Sequence, residues 1–270
     1  MGLATTIDHA NRDELGNKLA RRIDHELLAK QRRGVSEKDV FDKRKVMDDV
    51  LDKTTIMILS KLINSGIISY VNGVVGSGKE SKMYWAVDPD GKDVALKIYL
   101  VTASNFKKRK PYLVDDPRFS RIKKGTRNMV ELWAQKEFMN LTQCVKSGIP
   151  SIKPIHVLKN VLVIEFVGKN GVPAKTLVET EIDENDYKDA ISIISQLYKK
   201  AKLVHADFSE YNIFKTENGL IVFDLGSAVD IRHRNAKEFL ERDIKNISRF
   251  FVKRGLTVEN PSDIMARITN

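Results

Sequence analysis

The sequence has 270 residues and a formal net charge of +10, and 42% of its residues are hydrophobic. That apolar content can form a folded core and excludes a largely disordered chain, and the length allows one two-lobed enzyme or two small domains. The positive charge favours polyanionic partners such as RNA or nucleotides.

Several protein classes are excluded by simple patterns. No run reaches the roughly 18 apolar residues of a membrane helix, and the N-terminus shows no secretory signal. The single cysteine, Cys144, cannot form an internal disulfide or a cysteine-based zinc site. We therefore expect a cytoplasmic protein with no membrane partner.

The chain begins with two segments of helical periodicity. Residues 1–49 are rich in charge and carry apolar residues at helical spacing, which predicts a helical N-terminal extension. The apolar positions between Val50 and Ile68 predict a second helix that ends near Gly66.

Strand patterns come next. Three segments separated by turn signals predict an antiparallel sheet, and they cover residues 68–75, 82–87 and 94–100. Residues 107–127, with nine Lys or Arg, are predicted to be an irregular, flexible, basic insert. The pattern then favours a helix at 128–145 and two short strands at 156–158 and 161–167.

The remaining chain is mainly helical. Helices are predicted at 184–201, 236–253 and 263–268, with a hairpin whose strands lie at 211–215 and 220–224. Because strands gather early and helices late, we expect an α+β fold with two lobes. The first lobe would span residues 50–167, with a sheet and a helix, and the second, reduced lobe would span 168–270.

The first chemical signal is the glycine-rich segment 73–80. A glycine turn between strands allows backbone N–H groups to approach phosphate oxygens. The spacing of Gly73, Gly78 and Lys79 also matches a P-loop, but Glu80 replaces its Ser or Thr and a strand pattern follows where a P-loop needs a helix. A purely structural hairpin is the alternative if no other motif matches.

The second signal is Lys97, which lies within an apolar strand. A lysine there must bury its stem and find a partner for its charge, although an edge lysine facing water is a common alternative. In protein kinases a lysine at this place contacts ATP phosphates and pairs with a helix glutamate. Glu131 and Glu137 on the next helix are both candidates, and we favour Glu137.

The strongest signal is His205-Ala206-Asp207, followed by Asn212 and later by Asp224. Asp207 and Asn212 have the spacing of the kinase catalytic loop, in which a carboxylate orients a hydroxyl group and an amide oxygen binds a metal. Each motif alone is more often a plain loop or turn. Their order, with the glycine turn and Lys97 before them, points to phosphoryl transfer.

Two further residues have structural interpretations. His205 is predicted to be a packed, hydrogen-bonded loop residue rather than a proton-transfer group. Asp243 is predicted to sit in a buried helix turn and to accept bonds from loop N–H groups. The other histidines are scattered and are assigned no metal.

These strings resemble the RIO family of atypical protein kinases over about residues 50–270. The resemblance rests on segments 78–84, 96–99, 132–137 and 203–212. The Lys-Ile-Tyr strand, the Leu-Trp-Ala-x-Lys-Glu helix and the insert favour the first subfamily over the second. Short loops and many ion-pairing residues favour a heat-tolerant or archaeal source.

The resemblance implies a protein-kinase-like fold and roles for individual residues. Lys97 and Glu137 would form an ion pair, Ile164 would be the gatekeeper, and Asp207 would be the catalytic aspartate. ATP would also contact the glycine-rich segment, the chain after the gatekeeper and the metal site, through Gly73, Val75, Gly76, Ser77, Gly78, Lys79, Glu165, Val167, Asn212 and Asp224.

The resemblance also implies a cofactor and a cellular role. Asn212 and Asp224 would bind Mg²⁺ or Mn²⁺, and Asp224 would be a transient phosphoryl acceptor, which implies ATPase-like turnover. The family acts in maturation of the small ribosomal subunit, so a pre-ribosomal, RNA-rich particle is the expected partner.

Two departures from the family and kinase patterns matter. Residues 225–230 are more like those of ordinary kinases than those of many members of this family. There is no Ala-Pro-Glu sequence, and only 46 residues follow Asp224 in the 270-residue chain. The helices that usually dock a peptide would therefore be missing.

Three alternatives stay open. A small-molecule kinase of the aminoglycoside or choline type uses similar motifs but usually has a larger C-terminal lobe. An ATP-gated ribosome assembly factor would use hydrolysis only to time its release. A structural RNA-binding protein would explain the charge but leave the Lys97, Asp207, Asn212 and Asp224 series unexplained.

Overall fold

The structure is a computed structural model that describes residues 51–101, 111–114, 116–119 and 125–270. The predicted helical extension at 1–49 lies outside the described residues, and so does much of the predicted insert at 107–127. The chain divides into two compact units. The described part of one comprises residues 51–73 and 86–92, and the other comprises 74–85 and the described residues of 93–270.

The first unit contains helix α1, Lys53–Asn64, and short parts of two strands. The Asp52 carboxylate accepts a hydrogen bond from the Thr55 N–H at 2.7 Å and caps the helix start. The helix predicted between Val50 and Ile68 is thus confirmed, although it ends before Gly66. The turn Asp88-Pro89-Asp90-Gly91 lies in the same unit, with Gly91 at a left-handed φ of +81°.

A five-stranded sheet has the order β1-β2-β3-β5-β4. Its strands are β1 Tyr70–Ser77, β2 Ser81–Val87, β3 Asp93–Tyr99, β4 Pro154–Leu158 and β5 Val161–Glu165. Strand β3 pairs antiparallel with β5, and Lys97 lies opposite Leu162. Six of the seven residues of β3 are buried, which explains its continuous apolar run around one lysine.

The predicted glycine turn is shorter than the sequence suggests. Gly73 and Gly76 are strand residues of β1, and the turn to β2 begins only after Ser77. Its closing bond runs from the Gly78 N–H to the Ser81 carbonyl oxygen at 2.9 Å. The strand predicted at 68–75 therefore runs two residues further, to Ser77, and the turn is correspondingly short.

Described parts of the insert are also more regular than predicted. Pro111–Val114 forms a short helix, α2, and Pro117–Phe119 forms one turn of 3₁₀ helix. The Tyr112 ring stacks on Phe239 at a centroid distance of 5.2 Å. The prediction of irregular chain is therefore wrong for these residues, whose buried aromatic contacts outweigh the local basic composition.

Helices build the rest of the second unit. They are α3 Thr126–Lys146, α4 Glu184–Lys199, α5 Ala236–Lys253 and α6 Pro261–Thr269. Between them lie short antiparallel pairs formed by β6 Gly168–Lys169 with β7 Val172–Pro173, β8 Leu203–Val204 with β11 Val229–Asp230, and β9 Ile213–Thr216 with β10 Gly219–Val222. The predicted helices and the 211–224 hairpin are confirmed with small shifts at their ends.

The β6–β7 hairpin was not predicted, although its turn, Asn170-Gly171, is a strong hairpin signal. Both turn residues have positive φ, +54° and +77°, as a type I′ turn requires. The Asn170 N–H donates to Asp93 at 3.0 Å, and the Trp85 indole donates to the same carboxylate at 2.8 Å. Gly171 packs against the Trp85 ring.

We expect Gly171→Ala to destabilise the protein more than Gly91→Ala does. Both positions have left-handed φ, so both substitutions carry a backbone cost of about 1–2 kcal/mol. Only at Gly171 would the new Cβ collide with a ring, which adds about 1–3 kcal/mol. Urea unfolding of the two variants measures the difference, and equal losses would contradict the packing role of Gly171.

Candidate functional site

Lys97 lies at the centre of a buried ion cluster. Its side chain is 8% exposed, and its Nζ donates to both Glu137 carboxylate oxygens at 2.9 Å. The same nitrogen donates to Asp224 Oδ1, also at 2.9 Å. Strand β3, helix α3 and the chain after β10 therefore meet at one ammonium group.

The electrostatics of this cluster follow from burial and charge. Burial alone would lower the pKa of Lys97, but the carboxylates of Asp224 and Glu137 outweigh it, so the pKa of Lys97 is raised. Burial raises the pKa of Glu137, and the charge of Asp224 adds to this while Lys97 opposes it. The lysine thus stays charged and holds two carboxylates that would otherwise repel each other.

Glu137, not Glu131, is the glutamate beside Lys97. Glu137 is 1% exposed and also accepts a hydrogen bond from the Tyr99 hydroxyl. Glu131 lies nearer the surface and pairs with Lys159 at 3.1 Å. The two candidates that periodicity left open are therefore separated by their positions on α3, which lie almost two turns apart.

The loop carrying Asp207 is held from beneath by Asp243 of helix α5. Asp243 accepts hydrogen bonds from the N–H of Ala206 at 2.7 Å and from the N–H of Phe208 at 3.0 Å. This confirms the predicted role of Asp243. Burial raises the pKa of its carboxyl to about 7, although the two N–H donors oppose the shift. Asp207 itself stays exposed between the two anchored residues.

The backbone of this loop is strained at Ala206, whose φ is +63°. Such a conformation is uncommon for a residue with a Cβ, and it persists where surrounding bonds hold it. His205 in the same loop is buried, and its Nε2 lies 3.1 Å from the Phe223 carbonyl oxygen. Burial lowers the pKa of His205 to about 4, so it is neutral at pH 7, consistent with the predicted packing role.

Asn212 links the loop to the segment that carries Asp224. Its amide nitrogen donates to the Asp207 carbonyl at 2.9 Å, which turns the amide oxygen away from that carbonyl. Its own carbonyl accepts from the Phe223 N–H at 3.0 Å, continuing the β9–β10 pairing. Asp224 follows directly, with φ +56° and a side chain that is 44% exposed.

The other predicted ATP contacts lie on strands. Val75, Gly76 and Ser77 are in β1, and Gly78 and exposed Lys79 are in the turn that follows. Gly73 belongs to the other unit. Glu165 ends β5, where its N–H donates to the Lys153 carbonyl at 2.8 Å, and the Val167 carbonyl accepts from the Ala174 N–H at 2.8 Å.

Sequence reasoning missed a set of residues on α3 that touch the chain after Asp224. Lys136 donates to the carbonyls of Gly226 and Ala228, and Asn140 donates to those of Leu225 and Ala228. Lys136 comes one position before Glu137, and Asn140 comes three positions after it. This spacing places all three on one face of the helix. That spacing was the available signal, but polar residues at buried positions cannot be told from surface residues by pattern alone.

No group of three or more His, Cys, Asp or Glu side chains in the described ranges is arranged to hold a metal ion. No helix among the described residues is long and apolar enough to cross a membrane.

Comparison with known proteins gives a consistent picture. The family model of the RIO domain matches residues 82–264 of the 270. The chain is 37% identical over 255 residues to the serine/threonine-protein kinase RIO3 of Caenorhabditis elegans, covering 90% of this chain and 49% of that protein. It is 36% identical over 252 residues to the RIO-type kinase Rio1 of Haloferax volcanii, covering 93% of this chain and 85% of that protein.

A solved structure is also similar. The Rio2 kinase of Chaetomium thermophilum, in an ADP/Mg²⁺-phosphoaspartate complex, matches with a TM-score of 0.59 and 25% identity, covering 77% of this chain and 64% of that one. The predicted α+β, protein-kinase-like fold is thereby confirmed. The chain spans about half the length of several eukaryotic relatives, such as 42% of human RIO1.

Proposed function

The chain belongs to the RIO family, and from that premise we propose that it is an ATP-dependent serine/threonine protein kinase that uses magnesium. The observation that carries the proposal is the position of Lys97, whose ammonium is bound at 2.9 Å by both Glu137 and Asp224. In kinases the lysine–glutamate pair and the metal-binding aspartate must both be in place before phosphoryl transfer. The bonds from Lys97 to Glu137 and to Asp224 support assigning these roles to the cluster.

Nucleotide binding would use backbone groups and one charge. Lys97 would contact the α- and β-phosphates. Because the Glu165 N–H and the Val167 carbonyl already bond within the protein, adenine would use the Glu165 carbonyl and the Val167 N–H. The backbone of the glycine-rich strand and turn would lie over the phosphates, through Val75, Gly76, Ser77, Gly78 and Lys79.

The residues present fit a magnesium ion bound together with ATP. Asn212 presents an amide oxygen because its nitrogen is bonded to Asp207, and Asp224 presents a half-exposed carboxylate. Magnesium prefers oxygen ligands and is commonly held by one or two protein groups plus substrate phosphates and water. When bound, Mg²⁺ or Mn²⁺ would neutralise charge that develops on the transferred phosphoryl group.

The protein's own contribution to the reaction would be positioning. Asp207 would accept the proton of the attacking hydroxyl, and the bonds from Ala206 and Phe208 to Asp243 would hold its backbone in place. Lys97 would keep its charge on the phosphates throughout, since its pKa is raised. The neutral His205 would support the loop without exchanging a proton.

A second reaction is favoured by the phosphoaspartate named in the Rio2 structure. An Asp224 oxygen would attack the γ-phosphorus, the bond from that phosphorus to the oxygen of ADP would break, and ADP would leave. Water would then attack the phosphorus, releasing phosphate and restoring the carboxylate. Such an ATPase cycle suits a cytoplasmic assembly factor in maturation of the small ribosomal subunit, and the net charge of +10 suits an RNA-rich particle.

The nature of the labelled residue separates these activities. Protein incubated with ATP labelled at the γ-phosphate should carry acid-stable label if serine or threonine is phosphorylated. Label that is released by hydroxylamine and absent in Asp224→Asn would instead support the phosphoaspartate cycle. If labelled ATP is neither bound nor consumed, the proposal fails.

A further inference from the structure

One face of helix α3 holds the segment that follows Asp224. Its residues Trp133, Lys136, Glu137 and Asn140 occupy positions i, i+3, i+4 and i+7 and are all buried. Glu137 reaches Asp224 through Lys97, and both Glu137 and Trp133 lie close to Gly226. Lys136 and Asn140 hydrogen-bond to carbonyls of the chain at 225–228.

The contacts of Lys136 are unusual for a lysine. Lys136 is 0% exposed, and its Nζ donates to the Gly226 carbonyl at 2.9 Å and to the Ala228 carbonyl. Removing an ammonium group from water costs several kcal/mol, and apolar residues at such sites are often neutral or stabilising. The two carbonyl acceptors offset part of that cost and place the ammonium against the chain that follows Asp224.

Asn140 and Trp133 hold the same segment from adjacent turns of the helix. Asn140 donates to the Leu225 carbonyl at 2.8 Å and to the Ala228 carbonyl at 3.0 Å. Its amide oxygen accepts from Arg118 at 2.7 Å, which fixes the orientation of the amide. A Cβ at Gly226 would lie 2.6 Å from Trp133 Nε1, so the backbone approaches the indole more closely than any other residue would allow.

Asp224 gains its position from this anchored segment. Its side chain is 44% exposed, and its φ of +56° is uncommon for a residue with a Cβ and persists where the surrounding chain holds it. We propose that Lys136 is a positioning residue for Asp224: by holding the Gly226 and Ala228 carbonyls, it keeps the Asp224 carboxylate where the magnesium of bound ATP would be held. The inference rests on the proposed function of the site.

The test measures how nucleotide binding depends on magnesium. A fluorescent ATP analogue is titrated with Mg²⁺ and, separately, in EDTA, for wild type, Lys136→Met and Gly226→Ala. The second variant disturbs the same segment from the Trp133 side and keeps Lys136. Lys146→Met is the matched control, because Lys146 is an exposed lysine near the end of the same helix.

We expect the Mg²⁺ concentration for half-maximal binding to rise about tenfold in both variants, as when groups that orient metal ligands are removed. Nucleotide binding in EDTA should not change in either variant. Lys146→Met should bind the nucleotide as wild type does, with Mg²⁺ and in EDTA. Hydrogen exchange without nucleotide should accelerate at the Ala228 N–H, which donates to the Leu225 carbonyl at 3.2 Å, in Lys136→Met but not in Lys146→Met.

Other outcomes separate the two proposals. An unchanged Mg²⁺ dependence in a folded Lys136→Met protein would overturn the positioning role, and so would a loss of affinity that is equal in EDTA and in Mg²⁺. If wild type binds no nucleotide, the proposed function fails. Unchanged exchange at Ala228 in Lys136→Met would then overturn the anchoring of the segment as well.

Discussion

Replacement of Asp207 by asparagine is expected to lower kcat by about 10²-fold or more while Mg²⁺·ATP still binds with unchanged affinity. The side chains are of equal size, and the Ala206 and Phe208 bonds to Asp243 involve backbone groups that the substitution leaves intact. The substitution removes the negative charge of the carboxylate and with it the ability to accept a proton. Single-turnover phosphoryl transfer beside nucleotide titration measures both quantities.

The matched control is Asp189→Asn, at an exposed aspartate on α4. It should retain wild-type kcat. A parallel fall in affinity and kcat for Asp207→Asn would point to nucleotide binding rather than to the chemical step. Retention of full activity would remove Asp207 from the mechanism.

Replacement of Lys97 by methionine should affect both stability and activity. It leaves the buried Glu137 carboxylate without its ammonium partner, and breaking a buried ion pair from one side costs about 3–5 kcal/mol. The variant should also lose phosphoryl transfer, because no charge remains for the phosphates. Chemical denaturation at several pH values, together with turnover, tests both effects.

The sign of the pH dependence follows from Glu137. In the variant, burial raises the pKa of Glu137 without opposition from Lys97, so the folded protein binds a proton more readily than the unfolded chain. The stability of Lys97→Met should therefore rise as pH falls from neutral towards the ordinary pKa of glutamic acid, and the deficit relative to wild type should shrink.

Two variants sharpen this test. Lys97→Met combined with Glu137→Gln should recover part of the lost stability at neutral pH, since neither position then carries a buried charge and the Tyr99 hydroxyl keeps an acceptor. Lys159→Met removes the exposed pair with Glu131 and should cost less than about 1 kcal/mol. A pH-independent deficit in Lys97→Met would show that Glu137 is not a buried charge held by the lysine.

The sequence predicted the elements best where hydrophobic periodicity is strong. Helix α5 is predicted correctly at 236–253 because its apolar residues recur every three or four positions and most pack inward. The strand predicted at 68–75 lies at 70–77, so Gly76 is a strand residue and not part of the turn, a placement that glycine content alone cannot reveal. The Asn170-Gly171 hairpin carries a readable local signal that sequence reasoning missed.

The motif residues were found from spacing, and so was Asp243, which holds the Asp207 loop, whereas Lys136 and Asn140 were not. The pairing of Lys97 with Glu137 and Asp224 joins residues 40 and 127 positions apart, and only chemical analogy could connect them beforehand. Lys136 and Asn140 bind backbone carbonyls, which carry no sequence signature. Their role becomes visible only once α3 is placed against the chain that follows Asp224.

The central claim is that this cluster transfers phosphate from ATP, and ATP consumption with magnesium tests it most directly. Wild type should be assayed beside Asp207→Ala and Asp224→Ala, with autophosphorylation followed in the same samples. We predict turnover by wild type and a loss of about 10²-fold or more in both variants. If all three bind ATP and are equally inert, the protein is an ATP-dependent binding factor instead, and the claim of catalysis is contradicted.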